Sequence, residues 1–265
     1  MEVCVKHNSG FFSCCSVRLY NIIKFFNKNK RLPESVDSSE QFKWYKINKH
    51  GDLTFDYFLD YNTIDNKIIY TSNIDFYVYG YVKNSQFLDY NKLDYNNILP
   101  FINKYFSISD EIKQIIIDIE NKYNLDYNNI CVLFYRGNDK NRETSICSYD
   151  EYIKKAQYIL RLKPDIIFLI QSDETQFIDK MLLTLPNNSI YFKDYIRHIN
   201  KCNNTVDKVF KNENYIYSRY FLAITVIMSR CKYVVCGSGN CSLWIMLYRK
   251  NTNNVYQYLN GKWLQ

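Results

Sequence analysis

Hydrophobic positions in the second half of the chain fall into short solid runs separated by amphipathic segments, and this alternation sets the expected architecture. Cys131 to Tyr135 is a run of apolar and aromatic residues that stops abruptly at Arg136, the pattern of a strand buried on both faces of a parallel sheet. Asp165 to Gln171, Ser189 to Phe192 and Lys232 to Cys236 repeat it. Helical spacing fills the intervals. Ser148 and Glu151 stand in capping-box spacing before a helix to about Leu162, Thr175 to Leu183 follows the second strand, Tyr217 to Arg230 precedes the fourth, and Cys241 to Tyr248 ends the series. Upstream, Ile112, Ile115, Ile116 and Ile119 share one face of a helix from Ser109 to Tyr123. Strand and helix thus alternate about four times, which predicts a parallel Rossmann-like sheet with helices on both faces.

The amino-terminal part is less regular. Glu2 to Lys6 alternates and reads as a strand, His7 to Gly10 as a loop, and Phe11 to Phe26 as a helix with Phe12, Cys15, Leu19, Ile22, Ile23 and Phe26 on its apolar face. Strand, glycine-containing loop and helix together set a helix amino-terminus beside a ligand. Lys28 to Ser39 reads as a loop, Lys67 to Tyr70 and Ile74 to Val82 as strands, and Asp89 to Asn103, rich in Tyr and Asn, as irregular crossing structure. The expectation is α/β architecture in two domains, 1–110 and 111–265, with the junction near 105–128.

Composition narrows the partners. A hydrophobic share of 47% and an aromatic share of 17% exclude a disordered chain. The net charge of +7 is spread along the sequence without a block of like charges, which argues against a dedicated nucleic-acid binder and suits an anionic small molecule. The nine cysteines form no CxxC pair and no Cys/His spacing suited to zinc. Free thiols in a reducing compartment and no metal site are therefore expected. No apolar stretch reaches the roughly 18 residues of a membrane helix, and MEVCVKHNSG lacks the charged start and apolar core of a leader; a cytoplasmic protein without a transmembrane segment is the expectation.

Three strand ends in the second half carry polar residues suited to one ligand. Arg136 presents a permanently charged fork that matches phosphate oxygens in pairs; alternatively it pairs with Asp139. The Gly237 to Ser242 turn opens a helix whose backbone N–H groups, with Ser238 and Ser242, suit a diphosphate, or it is an ordinary strand-to-helix turn. Ser172 and Asp173 either accept hydrogen bonds from a ribose or a base edge or, with Glu174, merely cap a helix. Asp37, Ser38 and Ser39 face an acceptor hydroxyl or, the favoured reading, cap a turn. Together the three strand ends describe a nucleoside-diphosphate site. Neither GxGxxG after a first strand nor GxxxxGK[ST] is present, which removes support for dinucleotide-binding, ATPase and kinase readings.

From about Ile130 to Tyr248 the chain resembles the donor-binding half of the fucosyltransferases that share the peptide His-x-Arg-Arg-x-Asp-Lys, among them the α1,6, α1,2 and protein-O-fucosyl types. That peptide corresponds here to Phe134, Tyr135, Arg136, Gly137, Asn138, Asp139 and Lys140. The family's Thr-Asp-Asp at the next strand end corresponds to Ser172, Asp173 and Glu174, and its Ser-rich turn to Gly237 to Ser242. The resemblance implies a divergent GT-B-like, metal-independent glycosyltransferase; consistently, no Asp-x-Asp occurs. It implies that Arg136 stabilises the leaving diphosphate, that Gly137, Asn138, Asp139, Lys140, Ser172, Asp173, Ser238, Gly239, Asn240 and Ser242 bind the donor, and that a GDP-sugar is favoured over a UDP-sugar. The acceptor is then a carbohydrate or glycoprotein, with Asn8, Gly10 and Asp37 on its side and His7 as a candidate catalytic base. The family's His is Phe134 here and its second Arg is Gly137, so contacts to base and sugar are altered. The alternative is a catalytically inactive sugar- or nucleotide-binding module on the same fold.

Overall fold

The computed structural model describes residues 1–47, 51–65, 72–80 and 83–265. The strand expected at Lys67 to Tyr70, the end of the one at Ile74 to Val82, and His50 lie outside them. The strands are β1 (Glu2–Cys4), β2 (Ser35–Asp37), β3 (Ile130–Tyr135), β4 (Ile167–Ser172), β5 (Ser189–Ile190), β6 (Tyr233–Gly237), β7 (Val255–Leu259) and β8 (Lys262–Leu264). The α-helices are α1 (Phe11–Asn29), α2 (Thr54–Tyr57), α3 (Tyr95–Tyr105), α4 (Asp110–Tyr123), α5 (Tyr149–Leu162), α6 (Thr175–Thr184), α7 (Val206–Val209), α8 (Asn214–Arg230) and α9 (Asn240–Arg249).

The large sheet runs β5-β4-β3-β6-β7-β8, parallel throughout except for the antiparallel edge strand β8. β3 is central and pairs with β4 and β6, so Val132 faces Leu169 on one side and Val234 on the other. Every residue of β3 is buried, which requires cover on both pleated faces and explains the solid apolar run. In this order the strand ends of β3, β4 and β6 open side by side, where the helix amino-termini that follow them converge.

Local chemistry places the helices as the spacing predicts. Ser109 caps α4 by accepting from the Ile112 amide, Asp110 and Glu111 occupy the first turn, and Asn124 ends the helix in the left-handed conformation. Ser148 accepts from the Glu151 amide to start α5.

The amino-terminal part differs from expectation in three ways. Its sheet, among the described residues, is the two-stranded parallel pair β1-β2. The stretch Ile74 to Gly80 forms no strand: Ile74 and Phe76 are buried in alternation, but the Ile74 amide and carbonyl bond to the Asn27 side chain, which supplies what a neighbouring strand would. Asp89 to Asn103 is not irregular. Asp94 caps α3, and Ile98, Phe101, Ile102 and Tyr105 form a buried stripe at helical spacing that the Tyr- and Asn-rich beginning hides. β7 and β8 also lie beyond the last element read from the sequence.

α1 joins the parts. Phe12 meets Phe221 of α8 and stacks on Trp244 of α9, while Phe26 meets Phe101 of α3 edge-on. Arg18, fully buried on α1, donates to Ser38 Oγ at 3.1 Å and Tyr105 O at 3.0 Å beneath the rings of Tyr61, Tyr105 and Phe106. One continuous apolar core reaches from Val3 to Tyr258.

Candidate functional site

The loop after β3 is built by the carboxylates at the end of β4. Asp173 Oδ1 accepts from the Gly137 amide at 3.1 Å, Glu174 Oε2 accepts from the Asn138 amide at 3.0 Å, and Asn138 Nδ2 donates to Asp173 O at 2.9 Å. Asn138 Oδ1 accepts from the Cys202 amide at 2.9 Å. Ser172 Oγ accepts from the Glu174 amide at 3.0 Å. Ser172, Asp173 and Glu174 are all buried, so their polar atoms shape this loop from inside. A side chain at Gly137 has no room: a Cβ there would stand 2.0 Å from Glu174 Oε2 and 2.7 Å from Tyr135 Cε1. This is the physical reason for glycine at this position.

The loop delivers Arg136 to the edge of the sheet, its side chain about one fifth exposed. Nε lies 3.3 Å from Asp173 Oδ2 and Nη2 lies 3.6 Å from Asp139 Oδ1, yet neither approach has hydrogen-bond geometry, and Nε, Asp173 Oδ2 and Asp139 Oδ1 all lack a partner. The fork is thus neutralised without being tied. Burial opposes its charge, but Asp173 foremost and Asp139 outweigh that and hold the guanidinium above its ordinary pKa. It remains a cation at every working pH.

Arg136 lines a cleft of about 390 Å³ together with Ser9 to Ser13, Trp44, Asp139, Lys140, Glu143, Thr205, Asp207, Lys208, Asn240 and Cys241, a volume in the range of small-molecule sites. Two smaller cavities of about 20 and 50 Å³ flank it. The first separates the loop from the turn after β6, with Lys140, Gly237, Gly239 and Ser242 on its wall. Lys140 Cε comes within 3.0 Å of the Cβ position of Gly239, and its Nζ pairs with Glu143. Of the three strand ends expected to share one ligand, those after β3 and β6 face each other across this cavity.

The turn after β6 contributes less than its residue types suggest. Ser238 Oγ donates to Tyr258 O at 2.8 Å and accepts from Gln257 Nε2 at 2.9 Å, so its hydroxyl belongs to the sheet. The Gly239 amide donates to Tyr90 Oη at 3.1 Å. Asn240 Oδ1 accepts from Ser16 Oγ at 2.8 Å. What is left at the cleft is the first turn of α9, whose amides at Asn240, Cys241 and Ser242 have no partner within the helix. Half-buried Cys241 lines the same cavities as Arg136 and Lys140; burial raises its thiol pKa against the pull of both cations.

The amino-terminal candidates separate in the same way. Gly10 begins α1 on the cleft wall. Asn8 donates to Glu40 O and accepts from the Lys43 amide, both at 2.9 Å, and Asp37 Oδ1 accepts from the Ser39 amide at 2.8 Å, the turn cap favoured from the sequence. His7 bridges to Gln41 and bonds through Nε2 to Ser13 Oγ at 2.9 Å, so it reaches the cleft only through that serine. Burial lowers its pKa. Sequence reasoning passed over Tyr90, Trp44 and Asp207: the first stands in the Tyr- and Asn-rich stretch, and the last in the polar run 194–214, where it is one of several charged residues and its partner Arg197 stands ten residues away.

No protein-family model matches the chain, and no curated protein matches it. Solved structures do. The chain matches the NodZ alpha-1,6-fucosyltransferase co-crystallised with GDP over 99% of its own length and 97% of that chain, with TM-score 0.62 at 10% identity. The NodZ structure soaked with GDP-fucose matches with TM-score 0.59 at 8% identity, and fucosyltransferase NodZ from Bradyrhizobium with TM-score 0.60 at 8% identity, each over the same shares. Such identities establish fold alone: the chain has the GT-B-like architecture of these transferases along its whole length, as the resemblance at the loop after β3 implied.

Proposed function

We propose that this protein is a glycosyltransferase that moves a sugar, fucose or a related 6-deoxyhexose, from a nucleoside diphosphate, GDP in preference to UDP, to a carbohydrate hydroxyl. One observation carries the reading: Arg136 and Lys140 face the open amino-terminus of α9 across one cleft, in a fold shared with enzymes crystallised with GDP and GDP-fucose. Leaving-group departure places negative charge on the β-phosphate. An untied guanidinium, an ammonium and a helix amino-terminus meet that charge without a metal ion. One such donor contributes on the order of 3 kcal/mol to the rate. Residues 111–265 form the donor side of this reading and 1–110 the acceptor side, the acceptor arriving past Ser9, Gly10 and exposed Trp44.

A second reading, a silent binding module, draws on the closeness of Asp173 and Asp139 to Arg136. Transfer assayed with a panel of nucleotide sugars and acceptor oligosaccharides separates the two. The Arg136→Ala variant should stay folded and lose at least a hundredfold in transfer; full activity in that variant removes the assignment.

A further inference from the structure

The cleft holds a carboxylate that the diphosphate chemistry does not use. Asp207, second residue of α7, lines both the 390 Å³ cleft and the 50 Å³ cavity on the other side of Arg136. It is held rigidly. Its Oδ1 accepts from Arg197 Nη2 at 3.1 Å, Arg197 Nη1 donates to Asn214 Oδ1 at 2.7 Å, and Asn214 Nδ2 donates back to Asp207 O at 2.8 Å. The Arg197 guanidinium lies over the rings of Phe210 and Tyr217. Buried Tyr45 comes from the amino-terminal part; after burial, the neighbouring charge of Asp207 is what most raises its phenol. The carboxylate thus stands where the two parts of the chain meet.

The other carboxylates are committed elsewhere. Asp173 and Glu174, 4% and 0% exposed, do not line the cleft. Asp139 stands beside Arg136, and Glu143 pairs with Lys140, the two cations that face the diphosphate. A group that deprotonates an incoming hydroxyl must approach from the side opposite the departing diphosphate. Asp207 comes from a different element; its charge also reaches Arg136, but its hydrogen-bonded counter-ion is Arg197, which does not line this cleft.

Resting on the transferase reading, we propose that Asp207 is the general base of a single displacement. The acceptor O–H bond breaks and its proton passes to the Asp207 carboxylate, while the oxygen lone pair forms the bond to the anomeric carbon. The bond from that carbon to the β-phosphate oxygen breaks, and its electron pair leaves with the diphosphate between Arg136 and Lys140. Asp207 then returns the proton to water, and no further reactant is required.

The test compares wild type, Asp207→Asn, Asp207→Glu and Asp207→Ala for transfer from a nucleotide-sugar panel, alongside GDP binding by calorimetry. Removal of a general base costs about 10²- to 10⁴-fold. Asp207→Asn should lose that much in kcat while its Kd for GDP stays within threefold of wild type. Asp207→Glu, which keeps the charge beside Arg197, should fold normally and lose at least tenfold because its oxygen is displaced by one methylene. Formate, a diffusible carboxylate, should raise the Asp207→Ala rate at least tenfold. Transfer by Asp207→Asn within threefold of wild type, or loss without any formate response, overturns the assignment while leaving the transferase reading standing. A wild-type protein that binds GDP and transfers from no donor overturns both.

Discussion

Gly137→Ala is the sharpest test of how the Arg136 loop is held. The new methyl carbon would stand 2.0 Å from Glu174 Oε2 and must reach about 3.4 Å for ordinary contact, so the carboxylate has to retreat by about 1.4 Å. Glu174 is wholly buried, and Tyr135 on the other side is stacked on Phe177 at 4.5 Å, so neither neighbour yields freely. The retreat breaks the 3.0 Å bond from the Asn138 amide. Losing a buried hydrogen bond to a charged group costs roughly 1.5–3 kcal/mol, which for a chain of this size lowers Tm by about 3–12 °C. Glu174→Asp shortens the side chain and restores the space. It should cost a similar amount in wild type, because it forfeits the same bond, and little on top of Gly137→Ala. Urea unfolding of the two single variants and the double variant should therefore give a coupling of about 1.5–3 kcal/mol. Additivity within about 0.5 kcal/mol, or a Gly137→Ala protein as stable as wild type, refutes the account.

Further outcomes follow from other contacts. Tyr90→Phe leaves the buried Gly239 amide unpaired and should destabilise by roughly 1–3 kcal/mol, measured by denaturant unfolding, with weaker GDP binding as the turn after β6 loosens. GDP at 100 times its Kd should stabilise wild type by about 2.7 kcal/mol in a thermal-shift assay, and Arg136→Ala should lose most of that gain. Burial holds His7 and His198 below their ordinary pKa of 6.5, so the folded state binds fewer protons than the unfolded one. Their contribution is complete above pH 6.5 and is lost as pH falls through the lowered values. The His7→Gln/His198→Gln variant should accordingly lose less stability than wild type between pH 7 and pH 5.

The strand-helix alternation after Ser109 was legible because β3, β4 and β6 are largely buried and α4 and α5 each carry one apolar stripe, so burial and period agree there. The line-up of three strand ends followed from parallel order alone. The direction of individual side chains did not. Ser238 and Asn240 have the chemistry of ligand-binding residues but bond to Tyr258 and Ser16, partners at distant positions that no local pattern reveals. Ile74 and Phe76 alternate as a strand does, yet an asparagine from α1 takes the place of the missing neighbour. Glycine at position 137, where the resembling family has arginine, becomes intelligible only beside Glu174, whose carboxylate fills the space an arginine stem would occupy.

The Ser16 hydroxyl has a consequence for how the two parts of the chain can move. It donates to Asn240 Oδ1 and accepts from Trp244 Nε1 at 2.9 Å, a buried stitch from the middle of α1 to the opening turn of α9, under the aromatic stack of Phe12 and Trp244. Swinging the two parts of the chain open would expose that ring pair and strand three polar groups. On the proposed transferase reading, substrates then thread through a mouth of fixed width, and turnover is paced by their passage and by the chemistry rather than by a jaw that gapes and shuts.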